Sequence, residues 1–399
     1  MSKKSPDGPS HPGVKPATRF VTGGRDPQAF HGFVNPPVVH ASTVLYPTVD
    51  DYEARRGRYT YGRRGTPTSE AFAGALAEIE GPQCAGVALL PSGLAAAALA
   101  LQSAVQSGDH VLVTDNVYGP TRKFCDTVLN RSGVTTTYFD PLIGADIAKL
   151  MQPNTRAVYL ESPGSLSFEV QDVPAIAQAA HARGAVVLMD NTWASPLYFR
   201  ALEKGVDLAI QSGSKYIGGH SDLMLGVVAA NAATWPQLNH TVFTMGLCVG
   251  PDDMYLGMRG LRTMAVRLAH HYQAGLKVAR WFAQRPQIAQ VLHPALESCP
   301  GHAIWKRDFT GASGLFSIVL KPVPQAAVHA FIDALTLFGI GASWGGFESL
   351  VIPFDCDDVR SATTWSPGGP AVRFHIGLED VDDLIADLER GFAALAAAR

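Results

Sequence analysis

The chain has 399 residues, of which 47% are hydrophobic and 17% charged, and its formal net charge is −3 at pH 7. This length predicts two or three domains, and the composition is typical of a compact soluble protein rather than a disordered one. The net charge gives no general attraction to nucleic acid or anionic membranes, and no apolar run reaches the roughly 18 residues needed to span a bilayer.

The N-terminus and the cysteines both indicate a cytoplasmic protein. Residues 1–16 are rich in proline and lysine and lack an apolar centre, so they predict a disordered leader rather than a signal peptide. The five cysteines are scattered and never form a C-x-x-C pair. They predict reduced, mostly buried thiols, and neither a disulfide framework nor a metal site.

Residues 55–64 (RRGRYTYGRR) interleave arginines with Tyr59 and Tyr61. Such a pattern occurs in proteins that bind single-stranded nucleic acid through stacking and arginine–phosphate contacts. The acidic overall balance and the lack of an RNA-binding module argue against that function. A protruding arm that reaches a neighbouring subunit fits better, and residues 1–65 are predicted to form the leader and this arm.

From about Thr66 to Val228, helical and strand signals alternate, which predicts a mainly parallel sheet wrapped by helices. An Ala- and Leu-rich helix is predicted at 94–107, with Gly108 as its C-terminal cap. The other predicted elements of this part are strands at 110–114, 156–160, 185–189 and 206–210 and a helix at 173–183. Residues 66–255 are therefore assigned to one large α/β domain.

The pattern changes after about Asp252. One or two long helices are predicted at 254–283, and strands follow at 315–320, 350–354 and 371–376. The chain ends in an amphipathic helix whose apolar side chains share one face. Strands followed by a helix, without strict alternation, predict a smaller C-terminal α+β domain over residues 256–399.

Two polar residues of the large domain follow buried strands. Asp190 ends the apolar run 185–189, and Lys215 follows the next run in the segment QSGSKY. Open α/β sheets bind ligands outside the carboxyl ends of their strands. A carboxylate and an amine at two such ends suit pyridoxal 5′-phosphate (PLP), which needs an acid partner for its ring nitrogen and a lysine for its Schiff base. Ser212 and Ser214 are small hydroxyl donors that suit its phosphate. The ordinary alternatives are a surface lysine and an aspartate that caps the next turn.

Further candidate contacts lie outside this segment. Gly93 opens the Ala-rich helix, where backbone N–H groups suit an anion, although Ser92 is equally typical of a simple N-cap. Tyr118 follows a strand and could lay its ring on a planar cofactor, with packing as the alternative. Arg373 alternates in a strand, where its forked guanidinium suits a substrate carboxylate, with a surface salt bridge as the alternative.

Beyond these residues, the sequence resembles the Cys/Met-metabolism family of PLP-dependent enzymes from about residue 20 to the C-terminus. The segments that carry the resemblance occur in this order: YGRRGTPT, PSGLAAA, ESPGS, DNTWASPL, QSGSKYIGGHSD, RGLRT, FTGASGLFS, SWGGFESL and RFHIGLED. A set this long is highly specific. PLIGADI, HPAL, WKRDFTG and IGLEDVDDLIADL are also similar to the bacterial β-lyase branch of the family.

The resemblance implies a fold with an N-terminal arm, a large PLP domain of the aspartate aminotransferase type and a small C-terminal domain, assembled as a homotetramer of two catalytic dimers. It implies that Lys215 forms the Schiff base, that Asp190 faces the pyridine nitrogen and that Tyr118 stacks on the ring. The other implied contacts are a phosphate cradle of Gly93, Leu94, Ser212 and Ser214, a contribution of Tyr61 and Arg63 to the phosphate of the adjacent subunit, and the carboxylate-binding pair Ser343 and Arg373.

The resemblance also implies a reaction, the β-elimination of cystathionine to homocysteine, pyruvate and ammonia in methionine biosynthesis. Trp344 stands where γ-acting relatives usually carry a smaller aliphatic residue, which favours β- over γ-elimination. Ser165-Leu166 replaces the Asn-Pro of many relatives, so contacts to the phenolic oxygen of the cofactor are left open. Phe243 replaces a tyrosine of the β-lyase branch, which removes a hydroxyl.

Three alternatives remain open. One is a γ-acting relative, either a cystathionine γ-lyase or a γ-synthase, and the second is a cysteine desulfhydrase of the same fold. The most remote is a non-catalytic protein that binds PLP or single-stranded nucleic acid. The favoured interpretation predicts an amino-acid substrate and no nucleic-acid, membrane or metal partner.

Overall fold

The structure is a computed structural model, and it describes residues 14–398. The predicted leader, residues 1–16, thus lies almost wholly outside the described residues. The helices are α1 (Pro16–Thr22), α2 (Val49–Glu53), α3 (Pro67–Glu80), α4 (Gly93–Ala104), α5 (Gly119–Phe124), α6 (Val173–His181), α7 (Ser195–Tyr198), α8 (Trp235–Met245), α9 (Pro251–Ala283), α10 (His302–Asp308), α11 (Gln325–Asp333) and α12 (Val381–Ala397). The strands are β1 (Gly86–Leu90), β2 (His110–Thr114), β3 (Thr135–Phe139), β4 (Thr155–Glu161), β5 (Val186–Asp190), β6 (Leu208–Ser212), β7 (Gly226–Ala230), β8 (Ile288–Leu292), β9 (Leu315–Leu320), β10 (Gly339–Ile340), β11 (Leu350–Phe354) and β12 (Ala371–His375).

A seven-stranded sheet in the order β1-β7-β6-β5-β4-β2-β3 forms the centre of the first half of the fold. The five strands from β6 to β3 are parallel, whereas β7 runs antiparallel to both β1 and β6. Helices cover both faces, so the inner parallel strands β2, β4, β5 and β6 are mostly buried and largely apolar, whereas the edge strand β3 is polar and partly exposed. The α/β prediction with a mainly parallel sheet is confirmed.

Most predicted strands agree with the structure to within two residues, and β2, β9 and β11 have the predicted bounds. The end of α4 was predicted wrongly. This helix stops at Ala104, and Val105 caps it in an extended conformation. Gly108 instead lies at φ +90° in the turn that enters β2, where its N–H donates to the Gly133 carbonyl. A glycine suited to a left-handed turn was thus mistaken for a helix cap.

A second sheet, in the order β10-β11-β12-β9-β8, forms the C-terminal half together with α11 and α12. A cluster of buried phenylalanines fills the space between this sheet and its helices. The long helix α9 runs unbroken from Pro251 to Ala283, so it passes through the predicted domain boundary at 255/256. The division into residues 1–65, 66–255 and 256–399 stays a prediction.

The helices and the cysteines can be compared with the predictions made from composition. None of the helices in the described residues is both long and apolar enough to cross a membrane. All five cysteines are free thiols, and Cys125, Cys299 and Cys356 are buried. These thiols therefore pack as small apolar groups.

Candidate active site

Polar side chains collect where the parallel strands end. Glu161, Asp190 and Ser212 are the last residues of β4, β5 and β6, and these three strands are neighbours in the sheet. Lys215 follows β6 by three residues. Since the strands are parallel, their carboxyl ends open at one edge, which is where α/β sheets bind ligands.

The Lys215 amine sits between the two halves of the fold. Its Nζ donates a hydrogen bond to Ser343 Oγ at 2.6 Å and lies 5.4 Å from the centre of the Trp344 ring. Burial and the Arg373 charge lower the pKa of this amine, Asp190 partly offsets them, and the net pKa is about 8. A lysine with a lowered pKa has a larger fraction of free amine and is a better nucleophile and base.

Asp190 is partly buried and is tied to the next strand through Thr192. The backbone N–H and the hydroxyl of Thr192 donate to Asp190 Oδ1 at 2.9 and 2.5 Å, and Thr192 Oγ1 accepts from the Ser212 N–H at 2.8 Å. Asp190 therefore does cap the turn that follows it, as the ordinary alternative predicts. Only its Oδ1 takes part in this cap. Burial raises the pKa of Asp190. A cationic partner would stabilise the ionised form of such a carboxylate.

The start of α4 approaches β6 closely. A Cβ on Gly93 would lie 2.6 Å from the Cβ and Oγ of Ser212, so no larger residue fits there. Ser92 Oγ accepts from the Ala95 N–H at 3.1 Å, which realises the N-cap alternative. The first N–H groups of a helix have no intrahelical partner, so those of Gly93 and Leu94 are available for an anion.

The two serines differ in their present bonding. Ser214 Oγ accepts from the Leu225 N–H at 2.9 Å and lies 3.3 Å from the Leu225 carbonyl, so its hydroxyl already bonds to the backbone. Ser212 Oγ faces Gly93 at the start of α4. Ser212 therefore fits a phosphate cradle directly, whereas Ser214 would have to exchange its acceptor.

Arg373 reaches the site from β12. Its Nη2 donates to the Ala342 and Ser343 carbonyls at 2.8 and 3.1 Å. The residue is only 9% exposed, burial lowers its pKa to about 10, and no carboxylate of residues 14–398 forms an ion pair with it. A buried guanidinium without an acidic partner suits an incoming carboxylate, to which it can donate two hydrogen bonds.

Tyr118 is 47% exposed, and it is positioned through Glu161, a residue that the sequence analysis did not single out. Glu161 Oε2 accepts from the Tyr118 N–H at 2.7 Å, and Glu161 Oε1 accepts from the Ser165 hydroxyl. Burial and the nearby Asp190 charge raise the pKa of Glu161 to about 8. The signal was present, because Glu161 ends an apolar run just as Asp190 does. Ser165, one of the two departures from the common Asn-Pro, thus bonds to Glu161 in this chain.

Tyr61 and Arg63 lie apart from the other candidates. Tyr61 is 45% exposed at the start of a short helical turn, and Arg63 Nη1 donates to the Phe243 carbonyl at 2.8 Å. Neither of them forms a hydrogen bond with Lys215 or Asp190. Their predicted contribution to an adjacent subunit therefore stays a prediction.

The residues present fit PLP by three independent features. A carboxylate with a raised pKa lies at the end of β5, a lysine with a lowered pKa lies beyond β6, and a glycine that admits no side chain opens α4 beside Ser212. These match an acid for the ring nitrogen, an amine for the aldehyde and a cradle for the phosphate. No group of three or more metal-ligating side chains was found among residues 14–398 that could hold an ion.

Known proteins resemble this chain along nearly its whole length. Residues 17–393 match the family described as Cys/Met metabolism PLP-dependent enzymes, and the chain belongs to that family. It is therefore a member of a PLP-dependent enzyme family, as the sequence motifs imply.

Individual relatives of known name are similar to this chain over nearly its whole length. The chain is 47% identical over 389 residues to cystathionine β-lyase of Salmonella typhimurium and 45% identical over 392 residues to that of Escherichia coli; each match covers 95% of this chain and 98% of the relative. Its fold is similar to the crystal structure of cystathionine γ-synthase from Xanthomonas oryzae pv. oryzae in complex with aminoacrylate and cysteine. The TM-score is 0.89 at 31% identity, and the match covers 97% of this chain and all of that one.

Proposed function

We propose that this protein is a PLP-dependent cystathionine β-lyase, which cleaves the Cβ–S bond of cystathionine with one water to give homocysteine, pyruvate and ammonia. The observation that carries the proposal is the position of the Lys215 amine, which is hydrogen-bonded to Ser343 beside Trp344 and has a pKa of about 8. The similarity to two cystathionine β-lyases over nearly the whole chain supports it.

Bound PLP supplies an electron sink that stabilises negative charge at the substrate Cα. Asp190 would face the ring nitrogen and keep it protonated, since its buried carboxylate gains from a cationic partner. The N–H groups at the start of α4 and the Ser212 hydroxyl would hold the phosphate. Arg373 would bind the α-carboxylate of the substrate and fix the direction of the Cα–H bond.

Lys215 then moves protons between two atoms. Its free amine takes the Cα proton, and the resulting ammonium donates a proton to the departing sulfur, with Tyr118 as the other candidate donor. Burial raises the pKa of Tyr118, so its phenol is protonated and able to donate at neutral pH. A base whose pKa lies near the working pH is the most efficient one for such a transfer.

The choice between β- and γ-elimination depends on the space beside the base. Trp344 is bulky, lies 5.4 Å from the Lys215 amine and packs on Tyr216 with ring centres 5.5 Å apart. This ring restricts the space beside the base. We infer that it favours loss of the group on Cβ over a second proton transfer at Cβ, which γ-elimination requires.

The assembly is proposed to be a homotetramer of two catalytic dimers in the cytoplasm. In support, the arm presents large apolar side chains to solvent, including Phe33 (70% exposed), Leu45 (87%) and Val49 (71%). Exposed apolar patches mark protein–protein contacts. An adjacent subunit would cover these side chains and receive Tyr61 and Arg63 at its phosphate.

Product analysis tests the proposed reaction. The protein is incubated with PLP and cystathionine, and the keto acid and thiol are identified. Pyruvate with homocysteine is expected, whereas 2-oxobutyrate with cysteine would establish a γ-lyase. Lys215→Ala should lower turnover by about 10²–10⁴-fold, since it removes the proton-transfer group.

A matched control uses Lys277→Ala. Lys277 lies on α9, is half-exposed and pairs with Asp382 at 2.5 Å, away from the site. This variant should keep the turnover of the unmodified protein. Pyruvate formation at an undiminished rate by Lys215→Ala would remove the assigned role of Lys215.

A further inference from the structure

Strand β12 presents two side chains to the segment 342–346, which is called the site turn below because it carries Ser343 and Trp344. Arg373 and His375 are two residues apart on this strand, so they lie on the same face. Arg373 binds the first two carbonyls of the turn, as described above. His375 binds the later part of it.

His375 contacts two backbone groups that require opposite protonation states. Its Nε2 lies 3.1 Å from the Gly345 nitrogen and 3.2 Å from the Gly346 carbonyl oxygen. The Gly345 N–H needs a lone pair on Nε2, whereas the Gly346 carbonyl needs a proton there. The tautomer of His375 therefore decides which part of the turn it holds.

A second buried histidine, His271, packs beside His375. Its Nδ1 lies 2.8 Å from the Ile376 carbonyl, which can only accept, so Nδ1 carries the proton and Nε2 carries a lone pair. The ring centres of His271 and His375 are 5.2 Å apart. His271 Nε2 and His375 Nδ1 are both buried and have no hydrogen-bond partner within residues 14–398.

The contact with His271 does not by itself decide the tautomer of His375, because one buried water could bridge the two unpartnered nitrogens in either tautomer. The backbone of the site turn favours one of them. A buried backbone N–H is rarely left without an acceptor, whereas a carbonyl tolerates this more often, so the Gly345 N–H favours a lone pair on His375 Nε2 and a proton on Nδ1. Burial lowers the pKa of His271 to about 4 and that of His375 well below its usual range, so both rings are neutral at pH 7.

We propose that His375 is a positioning residue: it carries its proton on Nδ1, and its Nε2 accepts from the Gly345 N–H and holds Ser343 and Trp344 against Lys215. The inference rests on the proposed function only for its kinetic test.

Packing around the site turn links the contact made by His375 to the surroundings of Lys215. A Cβ on Gly345 would lie 3.0 Å from the Lys215 Cα, so the site turn touches the backbone that carries the reactive amine. Tyr216 packs against Trp344, His271 and His375, with ring centres 5.5, 5.4 and 6.2 Å apart. A shift of the turn would therefore move the Ser343 hydroxyl and the Trp344 ring relative to Lys215.

The first test is independent of turnover. The PLP-loaded protein is labelled with ¹⁵N-histidine, and the tautomer of His375 is read from its ring nitrogen shifts, with His375→Gln used to assign the signals. A protonated Nδ1 and an unprotonated Nε2 are expected. An Nε2–H tautomer at His375 overturns the proposal whatever the kinetics of any variant.

The second test compares three variants with cystathionine as substrate. His375→Ala should lower kcat/KM by about 10²-fold, because misplacement by about 1 Å has this effect. His375→Gln should recover most of the loss, since its amide oxygen can accept from the Gly345 N–H. The control is His293→Gln, which alters a fully buried histidine that also has an unpartnered Nε2 but does not contact the site turn.

His293→Gln should keep kcat/KM within about twofold of the unmodified protein, since it leaves the turn in place. If His375→Ala keeps the kcat/KM of the unmodified protein, or if it and His293→Gln lose the same amount, the positioning role is wrong. Failure of the proposed function is separate, because the unmodified protein would then form no pyruvate from cystathionine.

Discussion

The lowered pKa of Lys215 follows from where its amine is placed rather than from its residue type. Burial disfavours the ammonium form, the positive charge of Arg373 disfavours it further, and Asp190 favours it. The net result is a pKa of about 8, compared with 10.5 for an ordinary lysine. The neutral amine that the proposed reaction needs is therefore present in a substantial amount near neutral pH.

This environment predicts the pH dependence of Lys215 acetylation in the PLP-free protein. Only the neutral amine reacts, so the rate should fall as pH drops through about 8. At pH 8 about half of the amine is neutral, compared with about 0.3% for an ordinary lysine. Trace labelling with acetic anhydride between pH 6 and 11, followed by peptide mass spectrometry, measures the midpoint.

Two substitutions should move that midpoint in opposite directions. Asp190→Asn removes the charge that favours the ammonium, so the midpoint should fall. Arg373→Gln removes the charge that opposes it, so the midpoint should rise. A midpoint near 10.5 in the unmodified protein would contradict the assigned burial of the amine.

Among single residues, those at strand ends were the most predictable. Asp190 follows the apolar run 185–189, and Lys215 comes five residues after the mainly apolar run 206–210. Parallel strands bring such ends to one edge. Glu161 ends the run 156–160 in the same way, so the strand pattern alone could have indicated it as a site residue. Tyr61 and Arg63 carry no local signal for the site, because their predicted role depends on another subunit.

The conformation of the site turn depends on a glycine at position 345. Gly345 is buried at φ +84°, a region that side chains rarely adopt, and it touches Lys215. Gly368 has φ +83° but is exposed, and no atom lies within 4 Å of the position that a Cβ would take there. The two glycines therefore share the same backbone requirement and differ in their contacts.

Alanine substitutions at 345 and 368 distinguish the effect of backbone strain from the effect of a steric contact with Lys215. Gly368→Ala should lower the free energy of unfolding by about 1–2 kcal/mol through strain alone and leave cystathionine turnover unchanged. Gly345→Ala should cost more and should also reduce kcat, because its methyl group pushes against Lys215. Denaturant unfolding and pyruvate formation are the measurements. Equal effects of the two variants on kcat would show that the turn does not constrain the base.

The helices and strands themselves were largely predictable because burial imposes a period on the sequence. Strand β2 is buried throughout and apolar at 111–113 because it is covered on both faces, and α12 is apolar on one face because it packs on α11 and α9. The end of α4 was not predictable from the presence of a glycine. Gly108 serves the turn before β2, and the residues between 104 and 108 are extended or in a turn.

For the assembled protein, the arm is the element whose role depends most on a second chain. Its apolar side chains are exposed in a single chain, and Arg63 bonds to the Phe243 carbonyl rather than to the strand-end cluster. The proposed dimer would place Tyr61 and Arg63 of one chain at the phosphate of the other. A complete site then needs residues from two chains.

Complementation tests this shared site. Lys215→Ala and the double variant Tyr61→Ala/Arg63→Ala should each be inactive alone. Refolded together in equal amounts, they should recover about a quarter of the activity of the unmodified protein, since half of the two-fold symmetric dimers are mixed and each carries one intact site. Light scattering on the same sample checks the assembly. A mixture that remains inactive although it forms dimers or tetramers would contradict the arm's role.

The sequence by itself determined the α/β class, the order of most elements and the placement of Asp190 and Lys215 after consecutive buried strands. These three features depend on local periodicity and on the residue types at strand ends, and both are properties of short stretches of sequence. Only the tertiary structure decided which side chains of the C-terminal half face Lys215. These side chains come from segments far apart in sequence: the site turn, α9 (His271) and β12 (His375). They meet Lys215 where the C-terminal half lies against the segment that follows β6.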